Sequence, residues 1–136
     1  MPFELHPQLN SDCFVLGTLN NSTLLLHKNA LLPWFILVPH TQKTEIYKIE
    51  TIQQGILQQD INRLAQFVEQ HFKTDKLNIA TIGNIVPQLH VHIIGRHIND
   101  FCWPQPVWGQ TDSREYDTEN LQSIKQILVH EKIICA

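Results

Sequence analysis

Five consecutive large apolar residues, Trp34-Phe35-Ile36-Leu37-Val38, bounded by Pro33 and Pro39, limit the fold of this chain more than any other segment. Branched and aromatic residues in a run of this length suit a strand. Because no polar residue alternates with them, both faces of the strand need cover, which places it in the middle of a sheet. Partners are close by in sequence. Cys13 to Leu19 and Thr23 to His27 are short strand-like segments joined by Asn20-Asn21-Ser22, a hairpin signal. From Glu50 to Phe72, Ile52, Ile56, Leu57, Leu64, Phe67, Val68 and Phe72 recur at helical spacing, predicting an amphipathic helix to cover one face, with Gly55 as its weak point.

Leu77 to Ile82, closed by Gly83-Asn84, and Gln88 to Ile94, closed by Gly95, read as two further strands that suit antiparallel pairing. Trp103-Pro104-Gln105-Pro106 is too rich in proline for regular structure. A last helix with Leu121, Ile124, Ile127 and Leu128 on one face follows, with Asp117 or Thr118 as its cap. The sum is an α+β fold: a mainly antiparallel sheet of about five strands, one long central helix and a C-terminal helix. With 136 residues and 43% hydrophobic content, the whole chain, 1–136, is expected to form a single domain with a sizeable core.

Composition narrows the function. No apolar run approaches the ~20 residues that span a bilayer, and Met1-Pro2-Phe3-Glu4 lacks the basic-then-apolar order of a secretory signal, so no membrane partner and a cytoplasmic location are expected. A formal charge of −3 without a Lys/Arg stripe argues against long nucleic acid as a partner. Cys13, Cys102 and Cys135 are too scattered for a disulfide framework or a zinc ribbon and are expected to be reduced thiols. Eight histidines stand out, and their arrangement then decides whether they matter.

On a strand over 88–94, Gln88, His90 and His92 project to one face while Leu89, Val91 and Ile93 project to the other. On spacing alone this polar row reads as a solvent-facing edge before it reads as a site. A metal pair on His90 and His92, completed by His97, Cys102 or another histidine, is a further reading of the same spacing. The surrounding run Gly83-Asn84-Ile85-Val86-Pro87-Gln88-Leu89-His90-Val91-His92-Ile93-Ile94 changes the balance. It resembles the signature of the histidine triad family, three histidines separated by single apolar residues, with Gln88 in place of the first histidine. It is most similar to bacterial diadenosine-tetraphosphate-hydrolase-like members, which also carry this glutamine. Asn29 to Pro39, the Glu4-Leu5-His6-Pro7-Gln8-Leu9 opening and Trp103 to Gly109 extend the likeness over nearly the whole chain.

The resemblance implies a nucleotide hydrolase or transferase acting on a nucleoside phosphate linkage of dinucleoside polyphosphate or phosphoramidate type, through a nucleotidyl-histidine intermediate. His90 is then the nucleophile, His92 a hydrogen-bond donor to phosphate or leaving group, and Gln88 an orienting group that carries no proton. Asn29 takes the ribose position, Asn84 lies where it can contact phosphate, and His27 lies near the base. No metal and no cofactor is called for. A homodimer is implied, and the partner molecule is a nucleotide or dinucleotide. Loss of the first histidine also leaves room for a nucleotide-binding module with little turnover.

Overall fold

The computed structural model describes residues 2–135. Its strands are β1 (Cys13–Leu19), β2 (Ser22–His27), β3 (Trp34–Pro39), β4 (Lys76–Ala80) and β5 (Val91–Arg96); its helices are α1 (Pro7–Asp12), α2 (Thr51–Phe72) and α3 (Thr118–His130), with a 3₁₀ turn at Ile46–Lys48. The strands form one sheet in the order β1-β2-β3-β5-β4, every pair antiparallel. The apolar run at 34–38 is therefore the central strand, buried along its whole length. Phe35 and Leu37 face the layer formed by α2 and α3, where they meet Leu64, Phe67, Val68 and Leu128. Trp34, Ile36 and Val38 face the other side, where α1 and the loops bring Leu9, Val86 and Val107 over them. Each fully buried side chain of this size contributes about 1.5–3 kcal/mol through its removal from water, so a central strand with both faces covered anchors the sheet.

The long helix begins one residue past the expected point, with Glu50 as N-cap, and ends at Lys73 in the left-handed region with φ 54°. Ile52, counted in its apolar face, is 75% exposed, because that face turns towards the sheet only from Leu57 onward. Asp117 caps α3 by accepting from Asn120 N–H. The short helix α1 is absent from the expectations. Six residues are too few for a periodic signal; what forms it is Pro7 in the first turn and a cap from the His6 ring, whose Nδ1 accepts from Gln8 N–H.

Two strand boundaries need correction. β4 stops at Ala80 rather than Ile82, and β5 runs from Val91 to Arg96 rather than from Gln88 to Ile94. Pro87 has no N–H to give a ladder, and the side chain of Gln88 and the ring of His90 are tied to other groups, so 87–90 forms a loop leading into the strand. Past the expected stop, Gly95 continues the strand because it permits close approach. A Cβ there would lie 2.5 Å from Thr74 Cγ2 and 2.9 Å from both Pro33 Cγ and Val68 Cγ1, all stiff side chains. Gly95→Ala is expected to destabilise the fold by about 1–3 kcal/mol through overpacking, lowering the thermal midpoint by roughly 3–15 °C in a calorimetric scan.

After β5, Arg96 is buried and holds the turn that follows. Its Nε and Nη2 donate to the two carboxylate oxygens of Asp100 at 2.8 and 3.1 Å, its Nη1 donates to Asn78 Oδ1, and its guanidinium lies over the Trp103 ring. Asp100 in turn accepts from the N–H groups of His97, Cys102 and Trp103. This buried pair fixes the proline-rich segment that carries Trp108 over the sheet. No helix of the described residues is long and apolar enough to cross a membrane.

Candidate active site

The strand alternation brings His92 to the face opposite α2, and the loop residue His90 comes beside it, with ring centroids 4.9 Å apart. Leu89, Val91 and Ile93 point into the core beneath α2, as the alternation requires. The polar row does not face open solvent: His90 and His92 are each only 6% exposed. Trp34 and Trp108, the latter 5.1 Å from His92 at an edge-to-face angle of 82°, close over His92.

Each ring is held by a partner with one chemical option. His90 Nδ1 lies 2.7 Å from the carbonyl oxygen of Gln88. A carbonyl only accepts, so the neutral His90 ring is the tautomer with its proton on Nδ1 and its lone pair on Nε2. The indole Nε1–H of Trp34 lies 3.0 Å from His92 Nδ1. An indole only donates, so His92 Nδ1 accepts, and the ring carries its proton on Nε2. The two histidines are thus set in opposite tautomers. Burial, followed by the neighbouring His90 and His27, pushes the His92 pKa down to about 3, so it is a neutral donor across the physiological range.

His27 stacks flat on the other side of Trp34, with centroids 4.0 Å apart and planes 9° from parallel, and burial lowers its pKa while Asp12 opposes the shift. Beyond it opens a cleft of about 630 Å³ lined by His27, Asn29, Lys28, Phe14, Asp112 and Tyr116. Asn29 is placed at that cleft with its carboxamide engaged: Oδ1 accepts from Leu31 and Arg114 N–H, and Nδ2 donates to Asp112 O. A smaller cleft of about 110 Å³ lies on the other side of His90, lined by Gln88 with Thr44, Glu45 and Thr81. Gln88 is therefore near His90 but not in the strand row. Its side chain is turned to residues 4 and 6 of the N-terminal arm. Asn84 lies on the exposed loop beside Gly83 and makes no side-chain hydrogen bond among the described residues.

The residues weighed as completing a metal set point elsewhere. His97 Nε2–H donates to Phe72 O, and Cys102 accepts from Arg96 Nη2. Among the described residues no group of three or more His, Cys, Asp or Glu converges as metal ligands would. Sequence reasoning missed Trp34, which sets the His92 tautomer, and Trp108. The register that pairs Ile36 with His92 puts Trp34 on the same face, but pairing register is not visible in a single sequence.

Two buried histidines, one at the start of β5 and one in the loop before it, lie on the face of the antiparallel sheet opposite α2. The sequence profile of the HIT domain matches residues 8–99, so the chain belongs to the histidine triad family, a membership that supports a nucleotide-binding or hydrolase-type function. Three solved structures are similar over almost the whole chain. A histidine triad protein from Bradyrhizobium japonicum is 40% identical with a TM-score of 0.92, covering 98% of this chain and 99% of its own. One from Marinobacter aquaeolei is 37% identical with a TM-score of 0.92, covering 98% and 99%. A third, from Sinorhizobium meliloti, is 32% identical with a TM-score of 0.90, covering 94% and 96%. A diadenosine triphosphate hydrolase from Plasmodium falciparum shares the fold, with a TM-score of 0.58 at 20% identity over 96% of this chain and 82% of its own. No curated protein matches the sequence.

Proposed function

We propose that this protein is a nucleotidyl hydrolase or transferase in which His90 attacks the α-phosphorus of a nucleoside phosphate linkage, in a dinucleoside polyphosphate or a nucleoside phosphoramidate. The observation that carries the reading is the pair of opposite tautomers: a free Nε2 lone pair on His90 next to an Nε2–H donor on His92. A neutral imidazole is nucleophilic at neutral pH without help. In the first step the Nε2–phosphorus bond forms as the bond from phosphorus to the leaving group breaks, and the departing group takes its proton from water. His92 donates to the phosphoryl or leaving-group oxygen as charge develops. In the second step water adds to phosphorus, the phosphorus–nitrogen bond breaks, the electron pair returns to His90 Nε2, and the surplus proton leaves to solvent.

The nucleoside occupies the wider cleft, with its base near His27 and its ribose at Asn29. Ribose hydroxyls there exchange for the bonds that Asn29 makes to the 112–114 segment. Asn84 reaches the phosphate or leaving group from the loop before β5. The test is a panel of dinucleoside polyphosphates, nucleoside phosphoramidates and adenylated amino acids incubated with the pure protein, with nucleotide release followed by chromatography. Nucleotide release from at least one class is expected. Tight nucleotide binding with no product from any of them would favour a binding module instead.

The same reading includes a homodimer. Among the described residues β4 is an outer strand with a free edge, and Ile79 on it, with Ile82 and Ile85 just beyond, are 46%, 45% and 90% exposed. A second copy would cover both the unpaired backbone and this apolar strip. Sedimentation at micromolar concentration is expected to give twice the chain mass, and Ile79→Lys to give a monomer. A wild-type monomer with full activity would remove the dimer from this account.

A further inference from the structure

In this chain the first position of the triad is a glutamine, and its contacts suggest what that residue does. The Gln88 carboxamide offers a donor and an acceptor side by side, as a peptide group does. It uses both on the N-terminal arm: Oε1 accepts from His6 N–H at 2.8 Å and Nε2 donates to Glu4 O at 2.8 Å. The main-chain carbonyl of the same residue accepts from His90 Nδ1–H at 2.7 Å. The arm is anchored in turn. Phe3 rests on the His40 ring with centroids 4.2 Å apart, His40 shares a hydrogen bond with Thr23 Oγ1, and Phe3 and Leu5 pack against the site-face core.

We propose, on the basis of the nucleotidyl-transfer reading above, that Gln88 is a positioning residue that acts through the N-terminal arm. The arm grips its side chain, which fixes the 88–90 loop, which aims the Gln88 carbonyl at His90 and selects the Nδ1–H tautomer of the nucleophile. The loop has no strand partner of its own, since β5 begins only at Val91. A histidine at position 88 would serve this purpose poorly, because the two ring nitrogens point away from each other and reach one of the two arm groups at most.

The test removes one contact from each side. His6 has φ −56° and ψ 135°, angles that proline adopts and that suit a residue before Pro7, so His6→Pro deletes the N–H that Gln88 Oε1 accepts with little backbone change. His6→Ala keeps that N–H and controls for loss of the α1 cap. Gln88→Ala and His6→Pro are each expected to lower kcat about 10- to 100-fold, with KM changed by less than about 3-fold. The double variant is expected to be no worse than the worse single one, because both break the same link. His6→Ala should stay within about 2-fold of the wild type, and Gln88→His should fall with Gln88→Ala. Two readouts do not depend on turnover: ¹⁵N NMR of His90 should lose its single Nδ1–H tautomer in Gln88→Ala and His6→Pro, and amide exchange should rise over residues 3–12 in Gln88→Ala. Multiplied losses in the double variant, or an unchanged His90 tautomer in Gln88→Ala, would overturn the proposal. If the wild type releases no nucleotide at all, the catalytic reading fails, while the tautomer and exchange measurements still decide the link between arm and nucleophile.

Discussion

His90→Ala is expected to bind nucleotide and release none, with turnover reduced on the order of 10⁴-fold or more, since in the proposed mechanism it removes the atom that bonds to phosphorus. The surrounding pocket should persist. Leu89, Val91 and Ile93 anchor the segment to the core under α2, and the wider cleft at His27 and Asn29 is built from other elements. His90→Asn keeps a polar group in the space and should behave the same way, which separates loss of the nucleophile from loss of packing. The wild type quenched with base should carry a nucleotide mass on the peptide containing His90, because a phosphorus–nitrogen bond to imidazole survives alkali better than acid. Full hydrolytic activity in His90→Ala, or an adduct mapped to His92, would overturn the assignment and favour direct attack by water.

His92 variants should fail differently. His92→Gln removes the neutral Nε2–H donor, so a loss of about 10² to 10³ in kcat is expected, as for deletion of one donor to a developing oxyanion. The adduct on His90 should still form, slowly, and rapid-quench mass spectrometry would show it. The burial of His92 also makes the fold sensitive to acid. Its pKa is near 6.5 when unfolded and about 3 when folded, so between those values the unfolded chain binds a proton that the folded chain does not. Stability from this group is full above pH 6.5 and is lost as pH falls towards 3. Denaturant midpoints measured from pH 7 to pH 4 should drop in the wild type and drop less in His92→Gln; equal slopes would contradict a neutral, buried His92.

Much of this architecture was legible in the chain because it depends on local pattern. An unbroken apolar run of strand length, rich in branched and aromatic residues and bounded by two prolines, suits the middle of a sheet, and β3 lies there with both faces covered. Period-two alternation was enough to put Val91 and Ile93 under the helix and His92 on the opposite face, and 3.6-residue periodicity was enough for α2 and α3. Residue types and spacing also placed His90 and His92 as a pair. The tertiary structure alone decided what those histidines are. Whether a polar row meets solvent or a closed pocket depends on what the rest of the chain folds over it, and here that cover comes from Trp34 on β3 and from Trp108, carried on a turn pinned by the Arg96–Asp100 pair. Which nitrogen bears the proton depends on the local path of the 88–90 loop, which turns a carbonyl two residues back onto His90, and on an indole 58 residues away that only strand register brings to His92. Gln88 shows the same division: alternation put it in a row with the histidines, while the arm 84 residues earlier turned its side chain aside.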